Sequence, residues 1–479
     1  MGERLAMRDV IFLLPGIGGS VLTKHGAEVW APTAAGLWGF LKSRSKSLEA
    51  LILQSDDPDA ADLGDGVDAP RLVDDIHIIP GLWKIDGYSA IRDSLARGFE
   101  LYPHSEFAPG KANYVEFPYD WRRDNRAMAH RLSATIDRYL GWWQKDQHLP
   151  DARAILLAHS MGGLVARYWL EALGGWQRCR ALVTFGTPHR GSPKAVRFLA
   201  NGYKPGIASL TRLIQSCTSV YQLLPIYPML SAGGEFKRVA EAATIPNLRA
   251  DKAAEALQFH RSIEEGVKAD HAGSSYTLLP MVGTGQPTLQ SGVLNGGGLT
   301  TSEDPPPKFD RLWSHGDGTV PYVSAIPIEM STELRLGYVC EQHGSIQNNY
   351  RVLDYLYDFL RRTQTPDLTA VRFEAKQEKG EAARPGLSVA VDDYYEPDET
   401  PVLSVSLVGN EEPATRVQAR VEAAGMGDNP GTLEFAPVGE GWELAIPCLR
   451  PGVYRAHIRA SMGDGSSASP VTGIFEVGG

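Results

Sequence analysis

The chain reads as an α/β domain followed by a small all-β domain. Three observations carry that prediction. Apolar runs alternate with helix-spaced segments from Val10 to about Arg362, a polar break follows, and only short alternating runs lie beyond it. With 479 residues, 43% hydrophobic and 22% charged, the chain has material for two or three domains and ample core. A net charge of −10 argues against nucleic acid as a partner and against an electrostatic membrane anchor. No stretch approaches the roughly 20 apolar residues of a membrane span.

The first strand, Val10–Leu14, is wholly apolar and is ended by Pro15-Gly16. It is too short for the core of a signal peptide, so a cytoplasmic location, peripheral to membranes at most, is expected. Further strands are predicted at Tyr114–Phe117, Ala154–Leu157, Ala181–Phe185, Tyr276–Val282 and Leu334–Val339, the apolar runs typical of a buried parallel sheet. Helices follow from one-sided apolar spacing. Asn125–Gln144 carries Met128, Leu132, Ile136 and Leu140, and Asn348–Arg362 carries Leu353, Leu356, Tyr357 and Leu360.

Two long insertions, about 21–97 and 201–264, interrupt this alternation and are expected to form caps or lids. The first sets Trp30, Leu37-Trp38 and Leu82-Trp83 around an acidic, turn-rich run from Asp56 to Asp68. In the second, Ile207, Leu210, Leu213 and Ile214 share a helix face; that spacing suits either a lid over a site or a core helix.

Beyond Arg362 the alternating runs Leu387–Val391, Val402–Leu407, Val417–Val421, Trp442–Ile446, Val453–Ala460 and Gly473–Val477 predict a β-sandwich of immunoglobulin type. The division is thus 1–365 and 366–479, with few contacts expected to cross it. Cys179, Cys217, Cys340 and Cys448 are scattered and read as buried, reduced thiols.

The stretch AILLAHSMGGLVARYWLEALGG, Ala154–Gly175, passes from strand to helix with Ser160 at the joint. Small residues two before and two after a serine allow a sharp turn that pushes the hydroxyl into the open, a nucleophile elbow. Here they are Ala158 and Gly162, with alanine where glycine is usual. The bland reading is a helix N-cap serine. A serine without a base is inert, so its partners decide.

In the α/β-hydrolase order the acid and then the base follow the serine. Asp317 lies in a tight Gly-Asp-Gly turn, and His343 follows the last strand; both are predicted at the sheet edge where Ser160 must lie. The roles are nucleophile for Ser160, orienter for Asp317, and general base then acid for His343. His315 is the main competitor for the base, His189 comes too early in the order, and His159 is tied to the elbow backbone. The N–H groups of Met161 and of Ile17, in the LPGIGGS turn, are the expected oxyanion donors. Nothing calls for a metal or cofactor.

Seven strings carry a resemblance: LLPGIGGS (13–20), FPYDWR (117–122), AHSMGG (158–163), GTPHRGS (186–192), SVYQLLP (219–225), GDGTVP (316–321) and QHGSIQNN (342–349). In this order they resemble the lecithin:cholesterol acyltransferase family, which includes lysosomal phospholipase A2 and phospholipid:diacylglycerol acyltransferases. The resemblance implies an α/β-hydrolase that passes an acyl chain from a lipid ester to water or an alcohol. By motif, Ser160, Asp317 and His343 match its triad, and Ile17 and Met161 its oxyanion positions. The region around Trp30 matches its membrane- and substrate-facing part, and Asn201–Cys217 its lid. Ala158 and the C-terminal β-domain are departures.

The expected partners are a lipid ester and, transiently, a membrane or micelle surface, with the β-domain open to a protein partner. An esterase of small soluble esters, an amidase, or a scaffold with a vestigial site are the alternatives.

Overall fold

Six parallel strands form the central sheet: β1 (Val10–Leu14), β2 (Tyr114–Glu116), β3 (Ala154–His159), β4 (Cys179–Phe185), β5 (Thr277–Thr284) and β6 (Gly337–Cys340). Their order is β6-β5-β4-β3-β1-β2. The structure, a computed structural model, describes the chain apart from residues 1–3, 32–47, 75–76, 80–82, 105–108, 203–207, 243, 270–275, 296–297, 310–313, 331–336, 365–384, 410–413, 425–429 and 479. Every residue of β1 and β3 is buried, as their unbroken apolar runs require.

The chain leaves β1 for the edge strand β2, then returns across β1 to lay down β3, so winding reverses between β1 and β3. In such sheets the crevice at the reversal, beyond the carboxyl ends of the strands, is where sites form. Register brings the loops together there, because Ala158 of β3 pairs with Leu14 of β1 and with Thr184 of β4.

Helices cover the sheet: α1 (Ser89–Gly98), α2 (Asn125–Asp146), α3 (Met161–Arg167, continued by a π turn to Ala172), α4 (Pro193–Asn201), α5 (Ala208–Ser216), α6 (Thr218–Tyr221), α7 (Ala250–Lys268) and α8 (Tyr350–Gln364). Asp124 caps α2 by accepting from the Arg126 N–H at 2.8 Å. The first insertion is held by the arginines that follow FPYDW. Arg122 bonds Asp120 and Asp65 (2.6 and 3.0 Å), and Arg123 pairs with Asp56 at 3.2 Å. All three aspartate partners are thereby drawn onto buried guanidinium groups, which satisfies charges that burial would otherwise penalise.

The C-terminal region is a sandwich of two sheets with its own hydrophobic core around Leu387, Val405, Ala419 and Phe475. Its strands are β7 (Gly386–Ala390), β8 (Tyr394–Tyr395), β9 (Val402–Val408), β10 (Ala414–Ala423), β11 (Gly431–Glu434), β12 (Ala436–Val438), β13 (Gly441–Ala445), β14 (Gly452–Met462) and β15 (Val471–Val477). The sheets run β7-β9-β13-β12 and β8-β15-β14-β10-β11. Strand β10 alternates buried and open residues, the mark of one face in water. All seven residues of β15 are buried, because its second face lies against the α/β domain.

The expectation of few crossing contacts therefore fails. Gln286 donates to the Leu387 carbonyl (3.0 Å) and accepts from the Val389 N–H (3.1 Å). Glu341 accepts from the Thr472 N–H at 3.0 Å, and Asp86 pairs with Arg455, whose Nε is 2.9 Å away. The cysteine expectation also needs correction at two positions: Cys340 is half-buried, and Cys448 is exposed, set in a turn at positive φ.

Candidate active site

Ser160 occupies the turn between β3 and α3 with φ 51° and ψ −125°, a conformation a side-chain-bearing residue rarely adopts. Its neighbours are small for a measurable reason. A Cβ on Gly162 would lie 2.4 Å from the Pro15 carbonyl, and one on Gly16 would lie 2.9 Å from the Ser160 Cβ. The turn is held by the Ser160 N–H donating to Phe185 O (2.9 Å) and by the Thr187 hydroxyl donating to Ser160 O (2.9 Å). No capping bond comes from the Ser160 side chain, so the plain N-cap reading does not describe it.

The structure brings Ser160, His343 and Asp317 into one line. His343 Nε2 lies 2.8 Å from Ser160 Oγ, and His343 Nδ1 lies 2.7 Å from Asp317 Oδ2. All three are buried. The other Asp317 oxygen accepts from the Thr319 and Val320 N–H groups at 2.9 and 2.7 Å, which fixes the carboxylate's orientation. His343 sits on a 3-10 turn after β6, and its N–H donates to Asp317 O at 2.8 Å. With Asp317 accepting from Nδ1–H, Nε2 is left as the acceptor facing the serine hydroxyl.

The competing histidines lie elsewhere. His315 is exposed, with its carbonyl receiving the Gln290 side chain. His189 is buried, and burial with Arg167 and Arg190 nearby pushes its pKa well below the usual histidine value. His159 points away from the serine hydroxyl and does something the sequence did not disclose. Its Nδ1 is 3.0 Å from the Tyr88 hydroxyl and its Nε2 is 3.0 Å from the His343 carbonyl. The Tyr88 oxygen accepts the Gly16 N–H at 2.8 Å, so its own proton goes to His159 Nδ1. His159 Nε2–H then donates to the His343 carbonyl. One relay thus joins the loop after β1 to His343.

Ile17 lies beside Ser160 in the loop Pro15–Ser20, and Met161 is the first residue of α3, where N–H groups have no helical partner. That loop is clamped: Tyr119 donates to Pro15 O at 2.9 Å and the Trp30 indole donates to Gly18 O at 3.1 Å. Trp30 is fully buried and packs edge-on against Trp121, 5.0 Å between ring centres. The expected membrane- or substrate-facing role is corrected accordingly: Trp30 braces the backbone beneath the site.

The lid residues need the same correction. Leu210, Leu213 and Ile214 of α5 are buried in the main core, and none lines the cavity above Ser160. Ile207 lies outside the described residues. The cavity, about 30 Å³, is walled by Pro188 of the loop after β4, Ala195 and Phe198 of α4, Val220 of α6 and Leu223 just beyond it. The spacing that suggested a lid belongs to a helix whose apolar face is already covered.

Among the described residues no group of three His, Cys, Asp or Glu is placed to hold a metal, and no helix is long and apolar enough to cross a membrane.

The lecithin:cholesterol acyltransferase family profile matches residues 110–264. Four of the seven motif strings and Ser160 fall inside that segment; Asp317 and His343 lie beyond it. No curated protein matches the chain. Among solved structures, the Bacillus licheniformis lipase BlEst2 in mature form is 11% identical over 74% of this chain and 91% of its own, at a TM-score of 0.32. Its propeptide form is 12% identical over 97% and 93%, at 0.34. CopC from Methylosinus trichosporium OB3b is 14% identical over 20% of this chain and 93% of its own, at 0.17. The fold assignment rests on the strand order described above.

Proposed function

We propose that this chain is a serine lipid esterase or acyltransferase working through an acyl-enzyme on Ser160. The observation that carries the reading is the hydrogen-bonded line Asp317–His343–Ser160 at a strained elbow, opening on an apolar wall beside a helix N-terminus. The family match over residues 110–264 supports the lipid-ester class.

His343 takes the Ser160 proton as Oγ bonds the acyl carbon, and the N–H groups of Ile17 and Met161 receive the negative charge on the carbonyl oxygen. The ester C–O bond then breaks as His343 passes that proton to the departing alcohol oxygen. Water or an alcohol next gives its proton to His343 while attacking the acyl carbon, and the proton returns to Ser160 Oγ as the enzyme is freed. Asp317 holds the imidazole and stabilises its charged form throughout.

The small cavity above Ser160 favours a second reading, an esterase of short, soluble esters. A series of acyl chain lengths on one alcohol separates the two: turnover that rises with chain length and at a micellar surface supports the lipid reading. The triad itself is tested with a fluorophosphonate probe and by ester hydrolysis. Labelling should fall on Ser160, and Ser160→Ala, His343→Ala and Asp317→Asn should each lower turnover by about 10³-fold or more with the fold retained. An unlabelled wild type would leave a binding or scaffold protein. Near-normal activity in His343→Ala would move the base to another residue.

A further inference from the structure

We propose that the cleft between the two domains seats the alcohol half of the ester and selects an alcohol without negative charge. The β-domain supplies the wall of that cleft. This deepens, and rests on, the esterase reading above.

Two cavities meet at the triad. The first is the apolar one above Ser160. The second, about 240 Å³, runs between the domains, and the two share Lys194, Thr319 and His343. The two differ in lining: the first is walled chiefly by Pro188, Ala195, Phe198, Val220 and Leu223, whereas the second carries Lys194, Asp392 and Asp393 and suits the polar half of an ester. The chemistry assigns the alcohol to this side. In acylation the leaving oxygen must receive its proton from His343, and in transfer the acceptor hydroxyl must give its proton to His343. The alcohol oxygen therefore stands against His343, which both cavities adjoin; only the apolar one also adjoins Ser160, which carries the acyl carbon, so the alcohol extends into the other. The acyl carbon and the start of its chain fall to the apolar cavity.

The far wall of the cleft is the β-domain: Val389 of β7, Val391, Asp392 and Asp393 after it, and Ile474 of β15. Its place is fixed by the Gln286 bonds to Leu387 and Val389 and by Gln342 Nε2 donating to the Val389 carbonyl at 3.3 Å. Beside the buried Asp317, both of whose oxygens are taken by His343, Thr319 and Val320, the charged lining is Lys194 against Asp392 and Asp393. Ionised carboxylates only accept hydrogen bonds, so they suit hydroxyl groups and repel a phosphate. A glycerol-like alcohol meets both conditions.

The test uses the full chain and two esters with the same acyl chain, 1-octanoylglycerol and 1-octanoylglycerol 3-phosphate, with p-nitrophenyl butyrate as a third substrate. The wild type should prefer the uncharged glycerol ester in kcat/KM by about tenfold or more, and Asp392→Lys should narrow that ratio by about fivefold or more. Asp392 is exposed, so the substitution leaves the core untouched. Asp392→Asn should narrow the ratio less, in proportion to the smaller charge change.

A wild type that hydrolyses p-nitrophenyl butyrate but prefers the phosphate ester overturns this proposal alone, as does a ratio unmoved in Asp392→Lys. A wild type that turns over none of the three and is not labelled at Ser160 overturns the esterase reading, and this proposal with it.

Discussion

At Ser160 a φ of 51° is maintained because its neighbours over-determine it: Gly16 and Gly162 leave no room for relaxation, and Thr187 holds its carbonyl. The same economy of space governs the base. A Cβ on Gly186 would lie 2.9 Å from Asp317 Oδ2 and 3.0 Å from His343 Nδ1, so the triad packs directly on backbone. His159 is the residue whose importance spacing hides. As the x before serine in the elbow string it carries no rule, yet it bonds the His343 carbonyl and, through Tyr88, the loop Pro15–Ser20. His159→Phe should lower kcat by about 10- to 100-fold with KM little changed, and His159→Gln should lose less. Rates are to be expressed per fluorophosphonate-titrated site. A lower melting temperature with an unchanged rate per site would make His159 structural only.

Element by element, what the sequence discloses is what burial imposes in one dimension. Strands β1, β3 and β4 are legible because a parallel strand covered on both faces must be apolar at nearly every position. Helix α2 is legible from its stripe, and the triad from chain order and edge placement. Helix α5 was ambiguous because an apolar face looks the same whether it covers a site or completes a core. Leu213→Ser and Ile214→Ser should each cost about 2–5 kcal/mol, as large-to-small changes in packed cores do. The expected result is a lower melting temperature and equal losses on a soluble short-chain ester and on micelles. A loss confined to micelles would restore the lid. Tyr88 was invisible because it lies in an insertion with no period, and Trp30 because an indole reads alike when it braces a loop or meets a lipid.

Across the whole molecule the two domains share buried polar groups, which alternation in β15 does not reveal. Thr472 and Glu476 would mark a solvent face, yet both are buried, and the Thr472 backbone N–H donates to Glu341. Burial pushes the Glu341 pKa up to about 7, outweighing the bonds it accepts from Thr472, Gln342 and Asn349, and Asp86 adds to the rise. The folded chain therefore keeps a proton between about pH 4.5 and 7 that the unfolded chain has released. Its stabilising contribution is fully present below pH 4.5 and is lost as pH rises through about 7, at roughly 1.4 kcal/mol per pH unit in that window. Glu341→Gln should flatten this slope and be more stable than the parent at pH 8, read from urea midpoints between pH 5 and 8. Parallel profiles for the two proteins would refute it. The shared interface also sets an order of events during synthesis. When α8 has left the ribosome the triad residues have all been made, yet Asp86, Gln286 and Glu341 still await partners from strands not yet translated. At roughly 5–20 residues per second the remaining stretch takes on the order of ten seconds. For that interval the nascent chain has Ser160 and His343 but only half of the cleft beside them, so any selectivity that cleft confers, as proposed above, is the last property it acquires.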